Sequence, residues 1–271
     1  MHLQLPPSPA ICSYSDQRPP PHSHLHFRPS HRKSLQYLKS LGIIQPEFTT
    51  TPSPATVSHI LSTIDFFKSK GFSEPDFPRI AYLSPRLFTP SFEHKTMKSV
   101  FEFLADDVAA SPEESRGLIL KCPHILESDV ELCLKPTLGY LKSLGITRLN
   151  TPTALNAHLL DTRVRKFEEK MQFLRDVGFS IEESKRVCAR FRAIFGYGTE
   201  NNLRPKYLYL VRDMKRDGRD EVMRFPQYFG FSLEKRIKFR HLHLKHRNVD
   251  GDVPLNRMLL WDDHKFFKKW K

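Results

Sequence analysis

The sequence predicts an all-α protein built as a solenoid of repeated helix pairs. A seven-residue string, Tyr-Leu-Lys-Ser-Leu-Gly-Ile, occurs at 37–43 and again at 140–146, with looser copies at 66–72 and 173–179. A Pro-x-apolar-apolar motif also recurs, and no alternating run of apolar and polar residues favours a strand. Such self-similarity is typical of stacked repeats. The pattern leaves the hand of the solenoid open, right-handed or left-handed.

Each copy of the seven-residue string predicts the end of a helix. Its glycine is the residue that most readily adopts the positive φ of a helix C-terminus. The apolar positions of the string are expected to pack between stacked units, because repeat cores form from such columns. The glycines of the four copies are Gly42, Gly71, Gly145 and Gly178.

A second helix is predicted to follow each glycine after a short turn. Ser111-Pro112-Glu113-Glu114 and Ser180-Ile181-Glu182-Glu183 have the composition of a capping box, which marks a helix N-terminus. The second helix is expected to stop at the Pro-x-apolar-apolar corner. The four corners begin at Pro85, Pro123, Arg192 and Pro226, so one of them has arginine in place of proline.

Two charged columns follow the corners. The acidic column is interpreted as carboxylates at helix starts, where the helix dipole favours negative charge; its members are Glu93, Glu131, Glu200 and Glu234. The basic column predicts a ladder of cations that tracks phosphates spaced about 3.4 Å apart, or alternatively a row of solvated side chains. Its members are Lys135, Arg204 and Lys238. The unit around 155–160 is degraded and lacks both the corner proline and the glutamate.

Net charge indicates a polyanionic partner. The 271-residue chain carries +13, and residues 201–271 hold 18 Lys and Arg against nine Asp and Glu. Basic charge concentrated in one part of a chain is typical of nucleic-acid binders. Solubility or attraction to an anionic membrane surface would also account for the charge.

The strongest local signal for binding is residues 232–247, where an apolar helical stripe of Leu233, Ile237 and Leu244 alternates with cations. The candidate contacts there are Lys235, Arg236, Lys238, Arg240, Lys245 and Arg247. A second, weaker group lies one unit earlier and consists of Arg165, Lys166, Lys185, Arg186, Arg190 and Arg192.

The N-terminal 33 residues differ from the rest. They are rich in Pro, Ser and His, contain a single acid, Asp16, and have no apolar secretory segment. This composition predicts a transit peptide without fixed structure over 1–33, ahead of a repeat domain over 34–271. Few arginines favour a chloroplast over a mitochondrial address, and a disordered tail is the alternative.

Other classes of site have little support. The four cysteines, Cys12, Cys122, Cys133 and Cys188, lack the paired spacing of a zinc site or disulfide framework. No phosphate-binding glycine loop, zinc-protease motif or nucleophile elbow is present, so we expect no catalytic residues, no metal and no cofactor. No stretch approaches the length of a membrane span, and we expect a monomer.

The repeat columns resemble the mTERF family, the mitochondrial transcription termination factor-like proteins of organelles. The similarity covers residues 35–271 and includes the closing segment Tyr228–Ile237 with Pro254–Leu259, which is similar to the C-terminal signature of plant members. It implies an α-solenoid with a basic groove that binds double-stranded DNA or RNA.

The resemblance implies a non-enzymatic protein that regulates plastid gene expression. Such a protein acts on transcription or on RNA maturation, by binding organellar double-stranded DNA or structured RNA and, in some cases, proteins of the expression machinery. A rival hypothesis is a helical-repeat scaffold that binds an acidic protein partner. Steep salt dependence of binding would favour nucleic acid, because phosphate contacts release counterions.

Overall fold

The computed structural model describes residues 30–44, 52–251 and 253–271. These residues form fourteen α-helices and no strand, which confirms the all-α prediction. The predicted transit peptide falls outside the described residues except for its last four positions. The first helix begins at His31, three residues before the expected domain start, and the 1–33 boundary otherwise stays a prediction.

The helices fall into two alternating sets. One set, called first helices here, consists of α1 (His31–Ser40), α2 (Pro54–Ser69), α4 (His94–Asp106), α6 (Lys135–Ser143), α8 (Val164–Asp176), α10 (Arg204–Arg212) and α12 (Phe239–Lys245). The other set, called second helices, consists of α3 (Phe77–Leu83), α5 (Pro112–Lys121), α7 (Ala154–Leu160), α9 (Ile181–Arg190), α11 (Gly218–Arg224) and α13 (Leu255–Leu260). A last helix, α14 (Asp263–Lys269), closes the chain.

Several helices pack beside their counterparts in the next unit. First helix α6 contacts α8, and second helices α5 and α9 contact α7 and α11. This unit-on-unit packing is the arrangement of a solenoid, in which every repeat buries its apolar side against a neighbour.

The glycine stops have the predicted conformation. Gly71 and Gly178 have φ of +84° and +103°. In each case the next amide reaches back to the helix: Phe72 N–H donates to the Phe67 carbonyl at 3.1 Å, and Phe179 N–H donates to the Leu174 carbonyl at 3.0 Å. This bond satisfies a carbonyl at the helix end and turns the chain toward the second helix.

All four corners adopt one backbone conformation. The residue before each corner has φ between −142° and −135° and ψ between 66° and 79°, and a 3-10 turn follows. Phe191, which precedes Arg192, has φ −135° and ψ 71°. The arginine corner therefore matches the proline corners, and packing of the two apolar residues rather than proline stiffness sets the turn there.

A π-helical turn leads into three of the first helices, and the sequence patterns did not predict it. The turns are Val130–Leu134 before α6, Thr199–Leu203 before α10 and Leu233–Lys238 before α12. In the first, the Leu134 amide donates to the Asp129 carbonyl, five residues back, at 3.1 Å. Helices α4 and α8 begin without such a turn, which matches the shifted and degraded columns of those units.

The apolar columns form the core as predicted. The position that follows the aromatic residue of the seven-residue string is fully buried in each unit, at Leu38, Phe67, Leu104, Leu141, Leu174, Leu210 and Leu244. The last apolar position of the corners is also buried, at Phe88, Leu126, Phe195 and Phe229. Burying one such side chain stabilises a fold by about 1.5–3 kcal/mol, so these columns account for the repeat.

Candidate nucleic-acid interface

Neighbouring first helices enclose a series of equivalent grooves on one side of the repeat. The α4–α6, α8–α10 and α10–α12 grooves have volumes of about 590, 470 and 670 Å³. Each groove is bordered by one first helix and by the start of the next first helix in the chain. The three grooves therefore share a backbone frame and differ in their side chains.

The α4–α6 groove is acidic. Two cations and five carboxylates line it: Lys95, Lys135, Glu102, Asp106, Asp107, Asp129 and Glu131. Its excess of negative charge repels phosphates, since like charges at close range are unfavourable.

The α8–α10 groove is also acidic, although two candidate contacts line it. Arg165 and Arg204 face four carboxylates there, Glu168, Glu169, Asp176 and Glu200. Arg165 Nε lies 3.5 Å from Glu169 Oε1, which leaves little unbalanced positive charge.

The α10–α12 groove has the opposite charge. Four cations and a single carboxylate line it: Arg212, Lys215, Lys238, Lys245 and Asp213. Arg212, Lys215 and Lys245 are exposed, and within the described residues none of the three forms an ion pair. A polyanion therefore finds an attractive surface only at this one of the three grooves.

Two polar rings lie at the bottom of the α10–α12 groove. The Tyr209 hydroxyl and His241 Nδ1 are 2.7 Å apart, and His241 Nε2 is 3.5 Å from Asp250 Oδ2. Burial, together with the nearby Asp213 carboxylate, raises the pKa of Tyr209 to about 12, so the phenol stays neutral. Burial lowers the pKa of His241, which favours the neutral ring at physiological pH.

Each member of the predicted basic column is already paired with an acid. Lys135, Arg204 and Lys238 lie 2.6, 2.8 and 2.6 Å from the acid four residues earlier in the chain. These acids are Glu131, Glu200 and Glu234, which stand in the first turn of the π-helical segments, as expected for helix-start carboxylates. The two columns therefore neutralise each other, and a phosphate at this edge has to displace a carboxylate.

Arg240 is not part of an exposed binding surface, contrary to the sequence interpretation. Its side chain is 1% exposed and donates to the carbonyls of Met258 and Trp261 at 2.6 and 2.7 Å and to Asp263 Oδ1 at 2.5 Å. These bonds fasten the segment of α13 and α14 to α12. An arginine pattern in sequence does not distinguish such an internal clasp from a surface cation.

Arg236 is also engaged within the protein. Its guanidinium donates to the carbonyls of Leu259 and Trp261 at 2.9 and 2.6 Å and is half-buried. Lys235, Lys245 and Arg247 remain exposed, as predicted. Of the six candidates in 232–247, these three and the paired Lys238 are available at the surface.

The second candidate group does not form one surface. Arg190 donates to the carbonyls of Met223 and of Arg224, the latter at 2.9 Å, and so caps α11. Lys185 pairs with Glu182 at 2.9 Å, whereas Lys166 and Arg186 are exposed on α8 and α9, which belong to different helix sets. Arg192 is half-buried in its corner.

Sequence reasoning did not identify Arg212 and Lys215 as lining residues of the α10–α12 groove. Both lie where α10 ends, beyond the repeat columns, so no periodic signal marked them. The excess of cations over acids in this groove is apparent only from the structure, which places these two residues opposite Lys238 and Lys245.

The buried thiols are inert in this arrangement. Burial, with the Asp161 carboxylate nearby, raises the pKa of Cys122 to about 12, and burial raises that of Cys188 to about 12. Across the described ranges no three His, Cys, Asp or Glu side chains are grouped as metal ligands. In the same residues no helix has the length and apolar character needed to cross a membrane.

The two-column repeat with its corners and glycine stops matches a known family. The sequence profile of mTERF fits residues 35–152 and 111–267. The chain belongs to the mTERF family. Its members are non-enzymatic nucleic-acid-binding factors.

Relatives in Arabidopsis thaliana carry the names of chloroplast proteins. The chain is 31% identical over 132 residues to transcription termination factor MTERF2, chloroplastic, covering 48% of this chain and 20% of that protein. It is 26% identical over 218 residues to transcription termination factor MTERF8, chloroplastic, covering 79% and 42%. A third, MTERF5, is 27% identical over 113 residues, covering 41% and 22%. The chain thus spans less than half the length of each of these mTERF proteins.

Proposed function

We propose that this mTERF protein binds double-stranded DNA or structured RNA at the α10–α12 groove and regulates plastid gene expression. One observation carries the proposal: equivalent grooves of one repeated fold change from acidic at α4–α6 to basic at α10–α12. Because the backbone frame is the same, the difference lies in side chains that contribute nothing to the buried columns. Basic charge placed on such positions indicates a role in binding.

The protein would act by occupying the nucleic acid to which it is bound. A protein held on DNA obstructs a polymerase, and a protein held on RNA protects or presents it for maturation. The names of the relatives, chloroplastic transcription termination factors, support the first of these roles in the plastid. A fluorescent protein fused behind residues 1–33 is expected to accumulate in plastids, and accumulation in mitochondria or the cytosol would contradict the address.

Charge reversal in the α10–α12 groove tests the binding surface. We expect the variant Arg212→Glu, Lys215→Glu, Lys245→Glu to bind duplexes of any sequence far more weakly than the parent chain. The log–log dependence of affinity on salt should also flatten, by about 0.9 for each lost phosphate contact on B-DNA. Fluorescence anisotropy over a series of salt concentrations measures both effects.

A matched control separates the groove from net charge. The variant Lys39→Glu, Lys121→Glu, Arg175→Glu changes net charge equally at exposed cations of α1, α5 and α8, outside the lining of the three grooves. It should retain most of the parent's affinity. If both variants lose affinity alike, long-range charge and not the groove governs binding. Tight binding of an acidic polypeptide such as polyglutamate, without binding of nucleic acid, would support the scaffold hypothesis instead.

A further inference from the structure

The α10–α12 groove differs from the other two in apolar character as well as charge. Phe103 and Val130 are the apolar lining of the α4–α6 groove, and Phe173 is that of the α8–α10 groove. The α10–α12 groove, in contrast, is lined by five such residues, Pro205, Leu208, Tyr209, Leu233 and Leu242. Phosphate contacts alone do not require an apolar floor, so the lining points to a second part of the ligand.

Helix α12 extends this apolar floor onto its exposed side. Phe239 is 59% exposed and Leu242 is 49% exposed. Residues three apart lie on the same side of a helix, so the two form one patch. Phe239 occupies the column in which the two preceding units with a π-helical turn have Pro136 and Pro205. An aromatic ring thus stands at the surface where the repeat otherwise has a compact helix-start residue.

Cations surround the apolar patch. Lys235 and Lys238 are one turn or less before Phe239, and Lys245 is three residues after Leu242. Lys238 Nζ lies 5.7 Å from the centre of the Tyr209 ring. The hydroxyl contact with His241 fixes Tyr209, which costs less entropy on binding than a mobile ring would. The surface therefore alternates positive groups with apolar and aromatic ones.

We infer that this surface, Phe239 with the α10–α12 groove, binds unpaired nucleotides of a single-stranded RNA or DNA segment. This inference rests on the proposed function. In a duplex the base faces are stacked inside and only the backbone and base edges reach a protein. In a single strand the faces of the bases are free to pack on aromatic and apolar side chains while the phosphates contact lysine and arginine. The alternation of the two kinds of side chain fits that ligand.

Two other ligands would use cations and apolar groups together. An anionic membrane needs apolar side chains that protrude from a helix face. Here Leu208 and Tyr209 are half-buried inside a groove, out of reach of a flat bilayer. An acidic peptide would fill the groove without needing an exposed aromatic ring beside it. Both ligands are therefore included in the test below.

The test compares an unstructured oligouridine of roughly 12 nucleotides, within the range of single-strand site sizes, with an RNA duplex of equal length. The parent chain should bind the oligouridine at least as tightly as the duplex at the same salt concentration. The variant Phe239→Ala should weaken oligouridine binding by about ten-fold, the size of one lost stacking contact. Duplex affinity should change by less than a factor of about two, because Phe239 lies outside the lining of the groove and no phosphate contact is removed.

Controls keep the result interpretable. The variant Tyr82→Ala, Leu132→Ala removes an aromatic and a leucine side chain that are 79% and 80% exposed elsewhere, and it should bind both ligands like the parent. Phe239→Tyr preserves the ring and should retain oligouridine affinity. Thermal unfolding of each variant checks that the contact between Phe239 and Phe267, with ring centres 5.9 Å apart, is not needed for folding.

The outcomes are distinct. Preference for the duplex, or an equal loss of duplex and oligouridine affinity in the Phe239→Ala variant, would overturn the inference and leave the proposed function intact. Failure of both nucleic acids to bind would overturn both. Binding of vesicles containing phosphatidylglycerol, or of polyglutamate, that depends on Phe239 while oligouridine does not bind would assign the surface to another ligand.

Discussion

The α4–α6 and α10–α12 grooves are built on the same backbone and have opposite charge. In both, a first helix lies beside a π-helical turn, and a glutamate in that turn pairs with the basic column residue at 2.6 Å. The remaining lining residues differ: four further carboxylates and Lys95 at α4–α6, three further cations and Asp213 at α10–α12. The repeat therefore specifies fold at buried columns and leaves function to the groove positions between them.

The difference between the two grooves depends on which cations near the C-terminus are exposed and which are bound within the protein. Replacing Arg240 by alanine should cost about 3 kcal/mol of unfolding free energy, because two carbonyls and a carboxylate lose a charged donor. Replacing the exposed Lys235 should change stability by less than about 0.5 kcal/mol. Urea unfolding measures both. Faster hydrogen exchange in α13 and α14 of the Arg240→Ala variant would locate the loss, and an unchanged midpoint would show that the clasp is dispensable.

Much of the fold was predictable from sequence, because fold signals are local. Gly71 and Gly178 mark helix ends through the φ they permit, and Ser111 and Ser180 form the expected capping boxes, with bonds to Glu114 and Glu183 in both directions. These signals need only neighbouring residues. The same kind of reasoning identified the buried leucine and phenylalanine columns.

The candidate site was less predictable, because availability of a charge is set by distant partners. Arg240 and Lys245 belong to the same basic segment in the sequence. In the structure Arg240 is enclosed by α13 and α14, whereas Lys245 is exposed. Likewise, Arg212 belongs to no column and became part of the groove only through the placement of α12. The periodic pattern of the sequence does not show which groups some 20 residues away in the chain bind a cation.

Removing acids from the α4–α6 groove should reduce the difference in charge between this groove and the α10–α12 groove. The variant Glu102→Gln, Asp106→Asn is expected to raise nucleic-acid affinity by about five-fold at low salt, since rim charges of the same sign as the ligand oppose its approach. The control Asp65→Asn, Asp220→Asn makes the same charge change on α2 and α11, outside the three grooves. If both variants gain equally, total charge rather than the acidic groove limits binding.

Releasing a paired column cation should have unequal consequences in the two grooves. Glu234→Gln frees Lys238 beside the basic groove and should raise affinity by about three-fold, as expected for one unpaired surface charge. Glu131→Gln frees Lys135, but Asp106, Asp107 and Asp129 remain beside it, so its gain in affinity should be smaller. Anisotropy titrations of the two variants in parallel make the comparison. An equal gain in both would indicate that the ligand also reaches the N-terminal units.

The smallest effect concerns polar links between neighbouring units. Asn150, in the turn before α7, is an uncharged donor to the Glu114 carboxylate at 2.9 Å, whereas Arg219 on α11 is a charged donor to the Glu183 carboxylate at 2.6 Å. The hydrogen bonds from Arg219, with the capping bond from the Ser180 amide, lower the pKa of Glu183 to about 2.

A depressed carboxyl pKa stabilises the folded state above the unfolded value of about 4.3, and that contribution disappears as pH falls toward 2. Arg219→Gln should therefore have a lower Tm than the parent at neutral pH, and the difference should shrink steadily through this window. Differential scanning fluorimetry over a pH series measures it. The variant Asn150→Ala removes an uncharged donor from the Glu114 carboxylate, so its deficit should depend less on pH. A deficit for Arg219→Gln that is constant from pH 7 to pH 2 would mean that packing, and not the ion pair, joins α9 to α11.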